Sequence, residues 1–401
     1  MSEERLDLIL YGATGFTGRQ AARWLAERAP PGLRWAIAGR RREALDALAE
    51  TLPAPVPVLV ADGADAPAIE ALVARCRVVI STAGPYALHG EPLVAAAARQ
   101  GVHYADITGE TQHVRRLIDR YHGVAEASGA KIVPFCGFDS VPADLGALMM
   151  ARELEALGQG TRRVTAGVTA RGGFNGGTLA SMLHLAEDDL GALRDPALLN
   201  PEPARTDAFR QANPDLSGPT WSEGLNAWLA PFFMAPVNTR VVRRSAALAS
   251  AAGNPYGQDF QYQEGMEMRG ATPRLAAWGV SRTMGAFDAL IGVPWCRGLL
   301  ARLGPRPGEG PSEAVMDRGF LRYRYAAEGE GGARLLGELR FAGDPGNRAT
   351  VAMLCASALC LALDQEALPT GGGLLTPASG IGLALRPRLL EAGFEWSVTP
   401  G

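Results

Sequence analysis

Gly12-Ala13-Thr14-Gly15-Phe16-Thr17-Gly18 stands between an apolar run, Leu6 to Tyr11, and an amphipathic stretch, Thr17 to Arg28. Three glycines at this spacing, with a strand before and a helix after, leave few folds open. Gly12 permits a tight turn off the strand, Gly15 lets phosphates approach the backbone, and Gly18 lets the helix pack close to a sheet. The N–H groups and dipole of the helix N-terminus then favour an anionic phosphate. The loop from Gly12 through Ala13, Thr14, Gly15 and Phe16 to Thr17 is therefore expected to hold a dinucleotide.

The residues that follow extend this pattern. Short apolar runs at Trp35–Ala38, Val58–Val60, Val78–Ile80, Tyr104–Ile107 and Lys131–Phe135 alternate with helical stretches at Arg42–Thr51, Glu91–Gln100 and Thr111–Ser128. Such alternation predicts an α/β fold with a Rossmann-type, doubly wound parallel sheet over residues 1–145. Residues 160–345 differ in texture, with strand-like stretches at Arg162–Arg171 and Phe320–Phe341 separated by Gly-Pro clusters. They read as a second α+β domain, inserted before a C-terminal return segment, 346–401, whose helices and last short strand run back toward the first domain. The apolar stretch Asn347–Leu363 is too short and too alanine-rich to favour a membrane span over a core helix.

Strand two ends in Gly39-Arg40-Arg41-Arg42, with no acid to accept from ribose hydroxyls. Arg40 can bind a 2′-phosphate bidentately and Arg41 can stack on adenine, so NADP is the expected cofactor. The GxxGxxG spacing, one residue longer than GxGxxG, is common among NADP-dependent relatives of the fold. Asp62 either meets the adenine edge or caps the next helix. Small residues at the end of the fourth strand, Ser81-Thr82-Ala83-Gly84-Pro85, allow the backbone to approach the nicotinamide ribose.

Composition narrows the function classes. The 401 residues are 47% hydrophobic and 20% charged with a net charge of −3, which argues against disorder and against a dominant nucleic-acid-binding face. Five cysteines (Cys76, Cys136, Cys296, Cys355, Cys360) form no metal-binding spacing, no HExxH occurs, and no metal is expected. Scattered thiols and the absence of an apolar leader fit a cytoplasmic protein.

Several motifs together resemble one family. Gly12 to Arg19, Ser81 to Tyr86 and Tyr104-Ala105-Asp106-Ile107-Thr108-Gly109-Glu110 are similar to the NADP-binding domain of the saccharopine dehydrogenase superfamily. Cys136 to Asp144, Gly176 to Ser181, Arg243-Arg244-Ser245, Tyr256 to Phe260 and Gly371 to Ser379 resemble its trans-acting enoyl reductase branch. The resemblance spans nearly the whole chain. It implies NADPH-dependent reduction of a carbon–carbon double bond in a long-chain, polyketide or lipid-like substrate, made by a separate synthase. The alternatives within reach are an amino-acid dehydrogenase, as the superfamily's name suggests, and a non-catalytic NADP(H)-sensing scaffold. One departure stands out: Gly343-Asp344-Pro345-Gly346-Asn347 lacks the Pro-Gly-Tyr of many members.

Hydride transfer to an enoyl group also needs a proton for the α-carbon and a donor to the carbonyl. Tyr86, after the nicotinamide-side turn, is a candidate proton donor or an aromatic packed under the cofactor. Asp139 and Ser140 either orient substrate at the domain crevice or cap the helix that follows. Asp106 and Glu110 either order the loop before the helix from Thr111 or line the site, and Asn175 and Thr178 lie in a Gly-rich turn that can close over the nicotinamide. Trp221 to Leu303 interleaves Trp228, Phe232, Phe233, Met234, Trp278 and Trp295 with Arg240, Arg243, Arg244 and Arg282. That stretch reads as an acyl-chain channel, a face resting on a membrane, or a core with snorkelling arginines. The expected partners are an apolar long-chain substrate delivered by a carrier or synthase, a peripheral membrane contact and a second copy in a homodimer, with no nucleic acid.

Overall fold

Strand β1 (Leu6–Tyr11) carries apolar residues on both faces, with Asp7 as its one charged member, and is buried from that residue onward, which requires cover on both sides. The computed structural model describes residues 5–138, 140–173, 176, 190–291, 293, 295, 297, 298, 302 and 308–401. In it β1 lies inside a parallel sheet with β2 (Trp35–Gly39), β3 (Val58–Val60), β4 (Cys76–Ser81), β5 (His103–Asp106) and β6 (Lys131–Val133). A seventh strand, β13 (Gly373–Leu374), pairs with β6, so the order is β13-β6-β5-β4-β1-β2-β3. Leu10 sits opposite Ile37 on one side and Ile80 on the other. The order therefore reverses direction between β1 and β4, where ligands bind in open α/β sheets. The helix Thr350–Leu363, buried up to its last residue, packs beside the helix Phe16–Arg28 over β1, β4 and β5. Its 19-residue extension Pro345–Leu363 is apolar enough to cross a membrane, but it is 83% buried in the protein's own core.

The second sheet is built on β7 (Thr161–Arg171). Its other strands are β8 (Thr220–Ser222), β9 (Ala227–Ala230), β10 (Gln261–Met268), β11 (Phe320–Gly329), β12 (Arg334–Ala342) and β14 (Phe394–Pro400), in the order β14-β12-β11-β7-β10-β9-β8. Only the β7–β10 pair is parallel. The chain's last strand, β14, pairs with β12 of this sheet and not with the first sheet. What returns to the first sheet is the two-residue β13, whose Gly373 at φ +134° takes a conformation open to glycine.

Three buried arginines anchor one helix of the second half, and one of them crosses to the first sheet. Arg240, Arg243 and Arg244 on the helix Ala235–Ala251 are buried rather than snorkelling. Arg240 and Arg243 pair with Asp215. Arg244 donates to the carbonyls of Leu199 and Leu374, each at 2.5 Å, and so ties this helix to β13. A buried guanidinium is tolerated only when acceptors surround it, and burial draws its pKa down to about 9.

The helix Val141–Ala156 packs on β7, β11 and β12, and Tyr325 packs against it with its hydroxyl donating to the Pro142 carbonyl. A Cβ at Gly146 would come within 2.5 Å of the Tyr325 ring and hydroxyl. Gly146→Ala is expected to destabilise the fold by about 1–2 kcal/mol, because overpacking outweighs a helix-propensity gain of about 1 kcal/mol. Gly123→Ala, in the helix Thr111–Ser128 with nothing within 4 Å, is expected to stabilise it by about 0.5–1 kcal/mol. Urea denaturation of both variants checks the opposite signs.

Candidate active site

The turn after β1 is held by its own backbone. Gly12 N–H donates to the Ala38 carbonyl at 2.9 Å and Gly15 N–H to the Gly12 carbonyl at 3.0 Å. Gly12 has φ +81°, and a Cβ there would lie 2.9 Å from the Ala83 nitrogen. A Cβ on Gly18 would overlap the Gly12 carbonyl oxygen, so the helix Phe16–Arg28 approaches the turn only because position 18 is glycine. Gly15, in contrast, has only the Gly12 oxygen near its missing Cβ, at 3.3 Å, and borders open space. No side chain caps this helix, which leaves the N–H groups of its first turn uncapped beside a cleft of about 1840 Å³.

That cleft runs from the first sheet to the second. Gly12, Thr14, Gly15, Phe16 and Thr17 line one end, with Gly39, Arg40, Arg41 and Asp62 beside them. Ala13 is fully buried and turns away from it. Arg40 and Arg41 are exposed and their guanidinium groups make no hydrogen bond or ion pair with a described residue, whereas Arg42 pairs with Asp46 one helical turn on. Asp62 accepts from Ala64 N–H at 3.0 Å, and Asp65, not Asp62, caps the helix Ala66–Val73. An uncapped helix start, a glycine cradle and two unengaged arginines fit the pyrophosphate and 2′-phosphate of NADP(H).

The end of β4 forms the middle of the cleft. Thr82, Ala83 and Gly84 line it, and Thr82 Oγ1 donates to the Gly12 carbonyl at 3.1 Å, fastening β4 to the glycine turn. Ser81 is buried behind them with Oγ accepting from Ala83 N–H, and Pro85 flanks the lining without entering it. Tyr86 lines the cleft with its ring while its hydroxyl donates to the Ser81 carbonyl at 3.0 Å. That bond turns the phenol toward the backbone, which counts against it as the proton donor. Glu110 accepts from Tyr86 N–H at 3.0 Å and Ala87 N–H at 2.7 Å, capping the Tyr86 turn from below. Asp106 is taken up by Tyr104 Oη and Thr108 N–H and does not line the cleft.

Ser140 also lies outside the cleft. Its Oγ donates to Asn238 Oδ1 at 3.2 Å in a buried network, in which Asn238 Nδ2 donates to Glu264 Oε1 at 2.8 Å and Tyr262 Oη to Glu264 Oε2 at 2.8 Å. Asp139, Asn175 and Thr178 fall outside the described residues. Sequence reasoning missed four cleft residues: His89, Ile107, Phe138 and Thr350. Thr350 Oγ1 accepts from Phe138 N–H at 3.2 Å and donates to the Pro345 carbonyl at 3.0 Å. Where Pro-Gly-Tyr was expected, Asn347 Nδ2 instead donates to the Gly173 carbonyl at 3.2 Å and holds the Gly172-Gly173 wall of the cleft.

The far end is largely apolar, with Arg194, Arg210, Asp215 and Arg240 also on its lining. Val168 and Met266 from the second sheet, Phe232, Phe233 and Met234, and Met284 and Phe287 form its walls. Phe138 packs edge-on against Phe232 and joins this end to the middle.

Fold and site define the class: an NADP-dependent oxidoreductase on a doubly wound sheet. Residues 8–133 match the family described as saccharopine dehydrogenase NADP binding domain. A Mycobacterium tuberculosis protein given provisionally as a trans-acting enoyl reductase is 40% identical over 98% of this chain and 97% of its own. Trans-acting enoyl reductases of Mycobacterium bovis and Mycobacterium ulcerans are 37% and 35% identical, covering 99% of both chains in each case. The chain belongs to the saccharopine dehydrogenase superfamily, in its trans-acting enoyl reductase branch. Saccharopine dehydrogenase (L-Glu forming) from Saccharomyces cerevisiae has a similar fold, with a TM-score of 0.53 at 13% identity over 98% of this chain and 99% of that one.

Burial pushes the Glu264 carboxyl up to about 7, against its hydrogen bonds from Tyr262 and Asn238. An unfolded glutamate ionises near 4.3, so between about pH 4.5 and 7 the folded chain holds a proton the unfolded chain has lost. This group's contribution to stability therefore falls as pH rises through that window. Glu264→Gln removes the titration, and its stability relative to the unmutated protein is expected to rise from about pH 4.5 to 7. Urea midpoints across that range check it, and a flat difference would contradict it.

Proposed function

We propose that the protein reduces a carbon–carbon double bond in a long-chain, polyketide or lipid-like substrate, with NADPH as reductant. The observation that carries this reading is the continuity of one cleft, from the glycine turn and arginines at one end to a wall of phenylalanines and methionines at the other. A volume of about 1840 Å³ exceeds the roughly 300–1,000 Å³ of a pocket for one drug-sized ligand, leaving space for a dinucleotide and an acyl chain together.

In this reading Gly12 and Gly15 give the pyrophosphate room, Arg40 meets the 2′-phosphate and Arg41 the adenine. Thr82, Ala83 and Gly84 place backbone against the nicotinamide end. When bound, NADPH supplies hydride to the β-carbon and leaves as NADP⁺, and a proton at the α-carbon completes the saturated product. His89 is exposed on the cleft lining and can deliver that proton, a role the tethered Tyr86 hydroxyl does not fit. Glu110 holds the Tyr86 turn and so positions this end of the site. Phe138, Phe232 and Phe233 exclude water from the reacting carbons. The trans-acting relatives support a substrate delivered by a separate synthase or its carrier. An amino-acid dehydrogenase needs arginines free for a dicarboxylate; on this part of the cleft Arg210 and Arg240 are paired with Asp195 and Asp215, which leaves Arg194 as the lining arginine without an ion pair to a described residue.

NADPH is expected to bind at least tenfold tighter than NADH, and Arg40→Asp to remove that preference, a change of about 1.4 kcal/mol or more. Titration of nucleotide fluorescence measures both, and equal affinities in the unmutated protein would sink the assignment.

The purified protein is expected to oxidise NADPH with long-chain α,β-unsaturated thioesters in preference to crotonyl-sized ones, because each buried methylene contributes about 0.8 kcal/mol. Phe233→Asp, at a half-exposed position on the cleft wall, is expected to cut the long-chain preference about tenfold while sparing NADPH binding. Turnover only with a keto acid and an amine would favour the amino-acid reading. NADPH binding without turnover on any enoyl, carbonyl or imine substrate would favour a sensor.

A further inference from the structure

The helix Pro273–Ile291 rims the apolar end of the cleft with Ser281, Met284 and Phe287. Its opposite side is left uncovered. Leu275 is 67% exposed, Trp278 57% and Leu290 52%, and beyond the helix Trp295 is 71% exposed. Positions 275, 278, 282, 286 and 290 follow one another at helical spacing, so they form a single stripe along about 22 Å of helix. A surface helix of a soluble domain normally carries its charged residues on that side. Here the sequence from 273 to 291 holds three charged residues, Arg274, Arg282 and Asp288.

We propose that this stripe docks in the plane of an anionic membrane surface, with the helix lying between the lipid and the apolar end of the cleft. The arginines lie at the level of the tryptophans. Arg282 sits 5.5 Å from the Trp278 ring centroid, and Arg274 sits 5.3 Å from that of Trp228. A cation held against an indole beside exposed leucines is the arrangement that suits a headgroup boundary, with the ring and aliphatic chains below and the guanidinium at the phosphates. Charge agrees with that occupant. Residues 273–298 hold three arginines and one acid within a chain of net charge −3. A second copy of the chain would set the same arginines against each other across a two-fold axis. A protein partner would call for a compact anchor cluster in a pocket, whereas this face is a long flat stripe.

Docking does not depend on which bond the enzyme reduces, and its test reads neither turnover nor substrate. Flotation of the full chain with phosphatidylcholine vesicles, with and without phosphatidylglycerol, measures it. The unmutated protein is expected to float with the anionic vesicles, less so with neutral ones, and less at high salt. The double variant Leu275→Glu/Trp278→Glu is expected to lose flotation by about tenfold or more while still binding NADPH, which reports its fold. Arg282→Glu is expected to lose the preference for anionic lipid while retaining NADPH binding. Absence of flotation by the unmutated protein, or equal flotation of the double variant, would overturn the proposal. So would a dimer in solution that the double variant converts to monomer, or an acidic carrier protein bound through this face by a chain that does not float.

Discussion

The backbone of Gly12 touches the end of β4, and the site is organised around that contact. With no Cβ at position 12, the turn after β1 comes up against Ala83 and Thr82, and Thr82 Oγ1 closes the gap with a hydrogen bond to the Gly12 carbonyl. This approach occurs where the sheet order reverses, so the same contact that packs two strands also makes the crevice. Gly18 extends it by letting the first helix sit against the turn. The helix N-terminus, the end of β4 and the arginines after β2 then converge on one space.

The second sheet supplies the other wall through interactions that differ in kind. Its junction with the first is polar and buried: Arg244 reaches the carbonyl of Leu374 in β13, and Asp144 accepts from Ser245 Oγ and from Ala378 N–H. Burial raises the Asp144 carboxyl to about 7. Such groups are costly unless every acceptor and donor is matched, so they allow few alternative arrangements. Over this junction the cleft's far wall carries apolar side chains beside charges that are paired within the protein, Arg210 with Asp195 and Arg240 with Asp215.

The cofactor end of the site was readable before any coordinates because its determinants are local. Gly12, Gly15 and Gly18 act through their own backbone geometry, and Arg40 and Arg41 follow directly from the end of β2. The other end was not readable in the same way. Ser140 carries a helix-capping signature and was a candidate for substrate contact, yet its hydroxyl is consumed by Asn238, 98 residues away. Tyr86 stands next to the cleft as expected, but the direction of its hydroxyl depends on the Ser81 carbonyl. For Glu110 the sequence left two readings, ordering the loop before its helix or lining the site; it lines the cleft, and its carboxylate serves the Tyr86 turn and not its own helix. His89 had no pattern around it at all. It reaches the cleft because a one-turn helix, Tyr86–His89, carries it there.

The sequence by itself determined the alternation of strand and helix, the glycine turn and the basic end of β2. Each is set by the conformational limits or side chains of a few consecutive residues. The tertiary structure alone decided that Gly373-Leu374 is a strand of the first sheet while Phe394–Pro400 belongs to the second. It also decided that Arg243 and Arg244 are buried clasps while Trp278 and Leu275 lie in the open. Arginine, tryptophan and leucine can each cover a surface or fill a core. Which of these happens depends on whether partners such as Leu374, 130 residues from Arg244, arrive to satisfy or cover them.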